Sequence, residues 1–314
     1  MSRPTNHRHR SSRPLATAAA VTAAALGLTT AGIMPATAAA TGAPETGSVP
    51  TDPVSIAYVE VNSNDLANVG RYTLDDGSPV FDVAIIFAAN INYDGTNAYL
   101  HLNEQVQATL DDAATQIRPL QEKGIKVTLS LLGNHQAAGF ANFPSQAAAE
   151  AFADQVANVV ETYDLDGVDI DDEWVAYGTG STPPANPDSA VWLVDALGEK
   201  LPDDSLITLY DIGETAETLQ QAPAATLDTL DYIWNPYYGQ FNPPQLPAVD
   251  RSRLGAAAVD LNQTPVTLAA DLAARTVSEG FGVFVSYDLR AGDHSAYVSA
   301  VTRELYGQDT TYTG

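Results

Sequence analysis

From Val54 onward, short apolar runs alternate with stretches whose apolar residues recur at helical spacing. Runs rich in β-branched and aromatic residues occupy 54–62 (VSIAYVEVN), 80–91 (VFDVAIIFAANI), 125–133 (IKVTLSLLG), 166–173 (DGVDIDDE), 206–213 (LITLYDIG), 232–238 (YIWNPYY), 254–261 (LGAAAVDL) and 282–289 (GVFVSYDL). Each reads as a strand. Ala-rich segments at 104–123, 146–163, 187–201, 268–279 and 296–306 read as helices, with Ser145 and Asp188 as N-caps and Gly124 and Gly280 as C-caps. Eight strands in a β/α order predict an α/β fold, a single (β/α)8 TIM-type barrel over 54–314, with an open doubly wound sheet as the alternative. The helix after the sixth strand should be irregular or missing, because NPPQLP at 242–247 cannot be helical.

The N-terminal portion has a different character. Arg3, Arg8, Arg10 and Arg13 precede an Ala- and Leu-rich run, then Pro35 and the small-residue string ATAAA. This pattern predicts a secretory signal peptide over 1–40, cleaved near 38–40, followed by a flexible linker at 41–53. The expected location is therefore extracellular. No two arginines are adjacent in the leader, so general secretion is favoured over a twin-arginine route.

Charge narrows the partners. The chain has 14 Lys plus Arg against 39 Asp plus Glu, and loss of four leader arginines takes the formal charge from −25 to −29. Nucleic acid and an anionic membrane surface are poor partners for such a protein, whereas a neutral substrate suits it. The absence of cysteine excludes disulfides and thiolate metal sites, so a secreted domain of this composition depends on its core. No cofactor is called for, and a monomer is the expected state.

The chemistry concentrates in LDGVDIDDEW, where Asp166, Asp169, Asp171, Asp172 and Glu173 fall within eight residues. If DGVDIDDE is the fourth strand, alternation puts Asp169, Asp171 and Glu173 on one face and Val168 and Ile170 on the other. In a barrel the apolar pair faces the helices, and the acids line the lumen towards the C-terminal mouth, where barrel enzymes hold their active sites. Three carboxylates at steps of about 6–7 Å in a partly dry lumen cannot all remain ionised cheaply, because desolvation and like charge both raise pKa. At least one should hold a proton near neutrality, as a general acid requires, and Glu173 at the open end has the reach. Asp172 should point outward as a cap or solvated rim residue. A metal site is the weaker reading, because the string lacks the glycine and distant glutamate of a calcium loop.

The string D-G-x-D-x-D-x-E, at Asp166, Gly167, Asp169, Asp171 and Glu173, resembles the signature of glycoside hydrolase family 18. The segments YVEVN, FDVAIIFAANINYD, TQIRPLQEKGIKVTLSLLGNHQAAGFANFPSQ, WNPYYG and TRELYG extend the similarity from Ser55 to Gly307, towards the family's secreted endo-β-N-acetylglucosaminidases. The resemblance implies hydrolysis of the bond between the two core N-acetylglucosamines of N-linked high-mannose or hybrid glycans, leaving one sugar on the asparagine. It also implies substrate-assisted retention, an exception to the two-carboxylate scheme. Glu173 would then be the acid and later the base. Asp171 would orient the 2-acetamido group and stabilise the oxazolinium, and Asp169 would share a proton with Asp171.

Other positions follow the same resemblance. In WNPYYG, alternation puts Asn235 and Tyr237 on one face and Trp234 and Tyr238 on the other, and the first pair matches the family's tyrosine and its assisting neighbour at the acetamido group. Tyr237 is accordingly expected to be catalytic, and Asn235 and Trp234 to bind substrate. Tyr58 and Glu60 on the first strand share a face that could reach the lumen, and Asn134 sits on a mouth loop beside His135. Chitinases of the family commonly carry a tryptophan floor at the end of the last strand; here the segment is SYDL, so the floor is Tyr287 or missing. That departure disfavours a chitinase, and the retained Glu173 disfavours a non-catalytic lectin.

Overall fold

The computed structural model describes residues 52–314. The leader assigned to 1–40 and all but the last two residues of the linker at 41–53 lie outside the described residues.

All eight predicted strands form. They are β1 (Val54–Glu60), β2 (Val83–Tyr93), β3 (Lys126–Leu132), β4 (Gly167–Asp171), β5 (Leu206–Tyr210), β6 (Tyr232–Trp234), β7 (Leu254–Gly255 and Ala257–Asp260) and β8 (Val283–Tyr287). Neighbours in this order pair in parallel, and β1 also pairs with β8. The seventh strand completes the ring. Its first segment pairs with β6 and its second with β8, with Ala256 unpaired between them. The fold is a (β/α)8 barrel, as the alternating pattern predicts, and not the open sheet.

Two apolar layers explain why each strand is readable by period. Val168 and Ile170 on β4, with Ala57 and Val59 on β1, pack outward into the main core beneath the helices. Ile56, Tyr58, Ile85, Tyr210, Trp234 and Val285 form a second cluster inside the barrel. Parallel strands covered on both faces read as nearly continuous apolar runs. The carboxylates of β4 break that continuity.

The helical layer departs from regular β/α alternation in three places, the last of them the one that NPPQLP predicts. The helix expected over 104–123 is divided into Glu104–Asp111, Ala113–Gln116 and Arg118–Gln121, with Pro119 opening the last piece, where proline is tolerated, but barring an unbroken helix through it. The β1–β2 connection carries no α-helix, only the 3-10 turn Leu66–Arg71 and the short strand Tyr72–Leu74, which pairs with Thr310–Tyr312. After β6 there is no α-helix: the chain crosses as an irregular segment through Gln240–Phe241, burying Leu246 and Val249 against the barrel wall. Gln146–Tyr163 forms as predicted, and Ser145 caps it by accepting the Ala148 N–H. Asp188 stands at the N-cap position of Ser189–Lys200 without a capping side-chain bond. Two short helices, Gly213–Leu219 and Ala224–Thr229, fill the β5–β6 connection.

Candidate active site

Register places one residue from each of β3, β4, β5 and β6 at the same height in the lumen. Ser130 on β3 pairs with Asp169, which pairs with Thr208 on β5, which pairs with Tyr232 on β6. Around Asp169 this layer is saturated with donors. Tyr58 Oη donates to Oδ2 at 2.8 Å, Ser130 Oγ to Oδ2 at 3.1 Å and Thr208 Oγ1 to Oδ1 at 2.9 Å. Trp234 Nε1 in turn donates to Tyr58 Oη at 2.9 Å. Burial pushes the Asp169 carboxyl up to about 6, and the three hydroxyl donors limit the rise.

Asp171 lies one step nearer the mouth and is also buried. Its Oδ1 accepts the Glu173 N–H at 3.2 Å. Burial first, then the charges of Glu173 and Asp169, raise its pKa well above the usual carboxylate range. Among the described residues no hydrogen bond joins Asp171 to Asp169 directly, so the sharing of a proton expected from the resemblance is not visible as a contact. Glu173, just beyond the strand end, is half-buried, and burial raises its pKa as well. A carboxyl that keeps its proton nearer neutrality, at the open end of the lumen, has the properties of a general acid.

The structure also corrects several expectations. Of the two readings of Asp172, the solvated rim fails and the cap holds: it is buried, accepts Tyr177 Oη at 2.6 Å and accepts the Thr215 N–H at 2.9 Å. Through Thr215 it caps Gly213–Leu219, whose own N-cap, Ile212, has no side-chain oxygen to offer. Tyr58 and Trp234 do lie in the lumen, but fully buried: Tyr58 holds Asp169, and Trp234 holds Tyr58. Asn235 is wholly occupied by its own loop. Its Nδ2 donates to the carbonyls of Tyr237, Gln240 and Ala256, and its Oδ1 accepts the Tyr237 N–H, which leaves nothing for a substrate.

The face of WNPYYG was also misassigned. The division of its residues into two faces holds, but Trp234 and Tyr238 belong to the lumen side. Tyr237 turns away and is 47% exposed. Parallel pairing decides this: Tyr210 and Trp234 are register partners, and Tyr210 is a lumen residue. The tyrosines that feel the charges of Asp171 and Glu173 are Tyr210 and Tyr238, joined hydroxyl to hydroxyl at 2.6 Å. Tyr210, in LITLYDIG, was not singled out from the sequence. Its position opposite the acid strand was the available signal.

The remaining mouth residues are Tyr287, Glu60 and Asn134. Tyr287 stacks on Tyr238 with centroids 4.9 Å apart and planes at 14°. Glu60 is half-buried at the end of β1, where burial raises its pKa. Asn134 follows β3 and donates to Asn92 Oδ1 at 2.6 Å. A cavity of about 840 Å³ lies to one side, between the β2 hairpin and helix Gln146–Tyr163, and contains none of the acids. Among the described residues no group of three or more His, Asp or Glu is arranged to hold a metal ion.

Close packing behind Glu173 depends on glycine. A Cβ at Gly133 would lie 1.8 Å from the Glu173 carbonyl oxygen. We expect Gly133→Ala to cost about 2 kcal/mol, an ordinary penalty for overpacking, and to slow turnover because Glu173 must move. Urea melts and initial rates check this, and a variant equal to the wild type in both would show that the backbone there is not tightly held.

Comparison with known proteins agrees with this geometry. The family described as Glycosyl hydrolases family 18 matches residues 55–238. The chain belongs to this family. An endo-beta-N-acetylglucosaminidase of Flavobacterium sp. (strain SK1022) is 59% identical over 260 residues, which is 83% of this chain and 82% of that protein. Endo-beta-N-acetylglucosaminidase F1 of Elizabethkingia meningoseptica is 32% identical over 282 residues, covering 85% of this chain and 82% of its own length. Among solved structures, Bacteroides thetaiotamicron EndoBT-3987, in complex with a Man9GlcNAc2Asn substrate, superposes with a TM-score of 0.70 at 25% identity. That match covers 83% of this chain and 67% of the other. The chain is thus a family 18 enzyme, and its β4 acids lie within the matched region.

Proposed function

We propose that this enzyme is a secreted endo-β-N-acetylglucosaminidase that hydrolyses the β-1,4 bond of the N,N'-diacetylchitobiose core of high-mannose and hybrid N-glycans. One N-acetylglucosamine stays on the asparagine. The activity is that of the two relatives named above, and the glycan class is that of the EndoBT-3987 complex. The observation that carries the mechanism is the placement of Asp169, Asp171 and Glu173 on successive lumen positions of one strand end. Two acids on the same side of the sugar cannot divide acid and nucleophile roles across the bond as in the two-carboxylate scheme. The nucleophile must then come from the substrate, whose 2-acetamido carbonyl oxygen is within reach of its own anomeric carbon.

On this reading Glu173 protonates the departing oxygen while the acetamido oxygen closes on C1. Asp171, whose pKa burial and the neighbouring carboxylates raise in the free enzyme, accepts the acetamido N–H and, as the carboxylate, balances the positive charge that develops on the oxazolinium. Asp169, held by Tyr58, Ser130 and Thr208, fixes the position and charge of Asp171 from below. Tyr238, where Tyr237 was expected, sides the acetamido pocket with Tyr210. Glu173 then removes a proton from water, which opens the oxazolinium with retention.

Mass spectrometry of a high-mannose glycoprotein before and after incubation tests the proposal. Loss of everything beyond one N-acetylhexosamine per site supports it. An unaltered glycoprotein, together with cleavage of chitin oligomers, would replace it with a chitinase.

A further inference from the structure

The turn that carries Glu173 presents an exposed indole at the mouth. Asp172, Val175 and Tyr177 pack inward, Val175 against Gly133 and Gly139, and Tyr177 on Asp172. Trp174, the largest side chain of the turn, is left 56% exposed. The backbone is arranged to keep it out. Trp174 adopts φ +64° and His135 φ +46°, left-handed values that side-chain-bearing residues seldom take, and the two are locked by a His135 N–H donated to the Trp174 carbonyl at 2.7 Å. The imidazole then braces one side of the indole, with centroids 5.3 Å apart at 54°.

We propose that Trp174, braced by His135, is the surface on which one pyranose of the core disaccharide flanking the cleaved bond stacks through its C–H face. The position follows from adjacency to Glu173, and the ligand class from the pairing of a flat apolar face with a hydroxyl-rimmed sugar. This assignment rests on the reading of the enzyme as an N-glycan endoglycosidase.

The test is calorimetric binding of a high-mannose glycosyl-asparagine to Glu173→Gln protein, with and without a second change at Trp174. Trp174→Ala and Trp174→Gly are each expected to raise Kd about tenfold, the scale of one lost aromatic contact, and Trp174→Phe to restore most of it. The glycine variant suits the left-handed backbone, so its loss of binding cannot come from strain. An unaltered Kd in the alanine and glycine variants, or a phenylalanine variant no better than alanine, overturns the proposal while leaving the function intact. If Glu173→Gln binds no N-glycan and the wild type releases none, the functional reading falls, and this assignment with it.

Discussion

Replacing Glu173 with glutamine is expected to lower turnover by about a thousandfold, the middle of the range for a lost general acid, while glycan binding is retained. Glutamine keeps the size of the side chain and can occupy the same half-buried position, but it has no proton to give. Because burial raises the Glu173 pKa, the wild-type rate should fall on the alkaline side as that proton is lost, and this limb should vanish from whatever activity the variant keeps. Rates measured across pH, with binding by calorimetry, decide the matter. A variant within tenfold of the wild type would remove Glu173 from the acid role, and loss of binding would show that the substitution had damaged the site instead.

Asp171→Asn is expected to slow the reaction by about a hundredfold, comparable to loss of one preorganised charge-stabilising group, and to make the protein more resistant to heat above neutral pH. The two effects have one cause. The folded pKa of Asp171 is raised, so the fold favours its neutral form; that stabilisation is full below the unfolded value near 4 and is lost as pH rises through the folded value. Asparagine is neutral throughout and escapes the loss. Thermal melts at several pH values should show the variant and wild type converging in acid and separating as pH rises, with the variant higher. A wild-type rate would end the proposed role of Asp171 at the oxazolinium. A melting difference independent of pH would mean that its charge is not the source of strain.

Much of this site is legible in the sequence because a strand alternates with fixed period. Asp169, Asp171 and Glu173 could be set on one face from the string alone; the structure seats Asp169 among the lumen hydroxyls, with Glu173 just past the strand end and within charge range of Asp171. What failed was the choice between faces at the end of β6. Pro236 and the Asn235-anchored turn end the strand at Trp234, and only the register with β5 shows which side of it is the lumen. Asn235 illustrates a related limit. An amide among aromatics near a barrel mouth looks like a ligand contact, yet each of its polar atoms is claimed by backbone groups as distant in sequence as Ala256. For Asp172 the sequence left a cap and a solvated rim residue open, and only the packing of Gly213–Leu219 against it decides for the cap.

The irregular crossing after β6 has a consequence for how this scaffold can diversify. Leu246 and Val249, joined by a single hydrogen-bonded turn, shield the wall there, while Asn235 secures the ladder behind them. A helix in that position would fix the length of the connection, since its apolar stripe must stay in phase with the barrel. One short turn imposes no such phase. Residues can be gained or lost on either side of it at a closure cost that grows only slowly with length, so this sector can acquire new segments over evolutionary time while the acids on the neighbouring strands stay where they are.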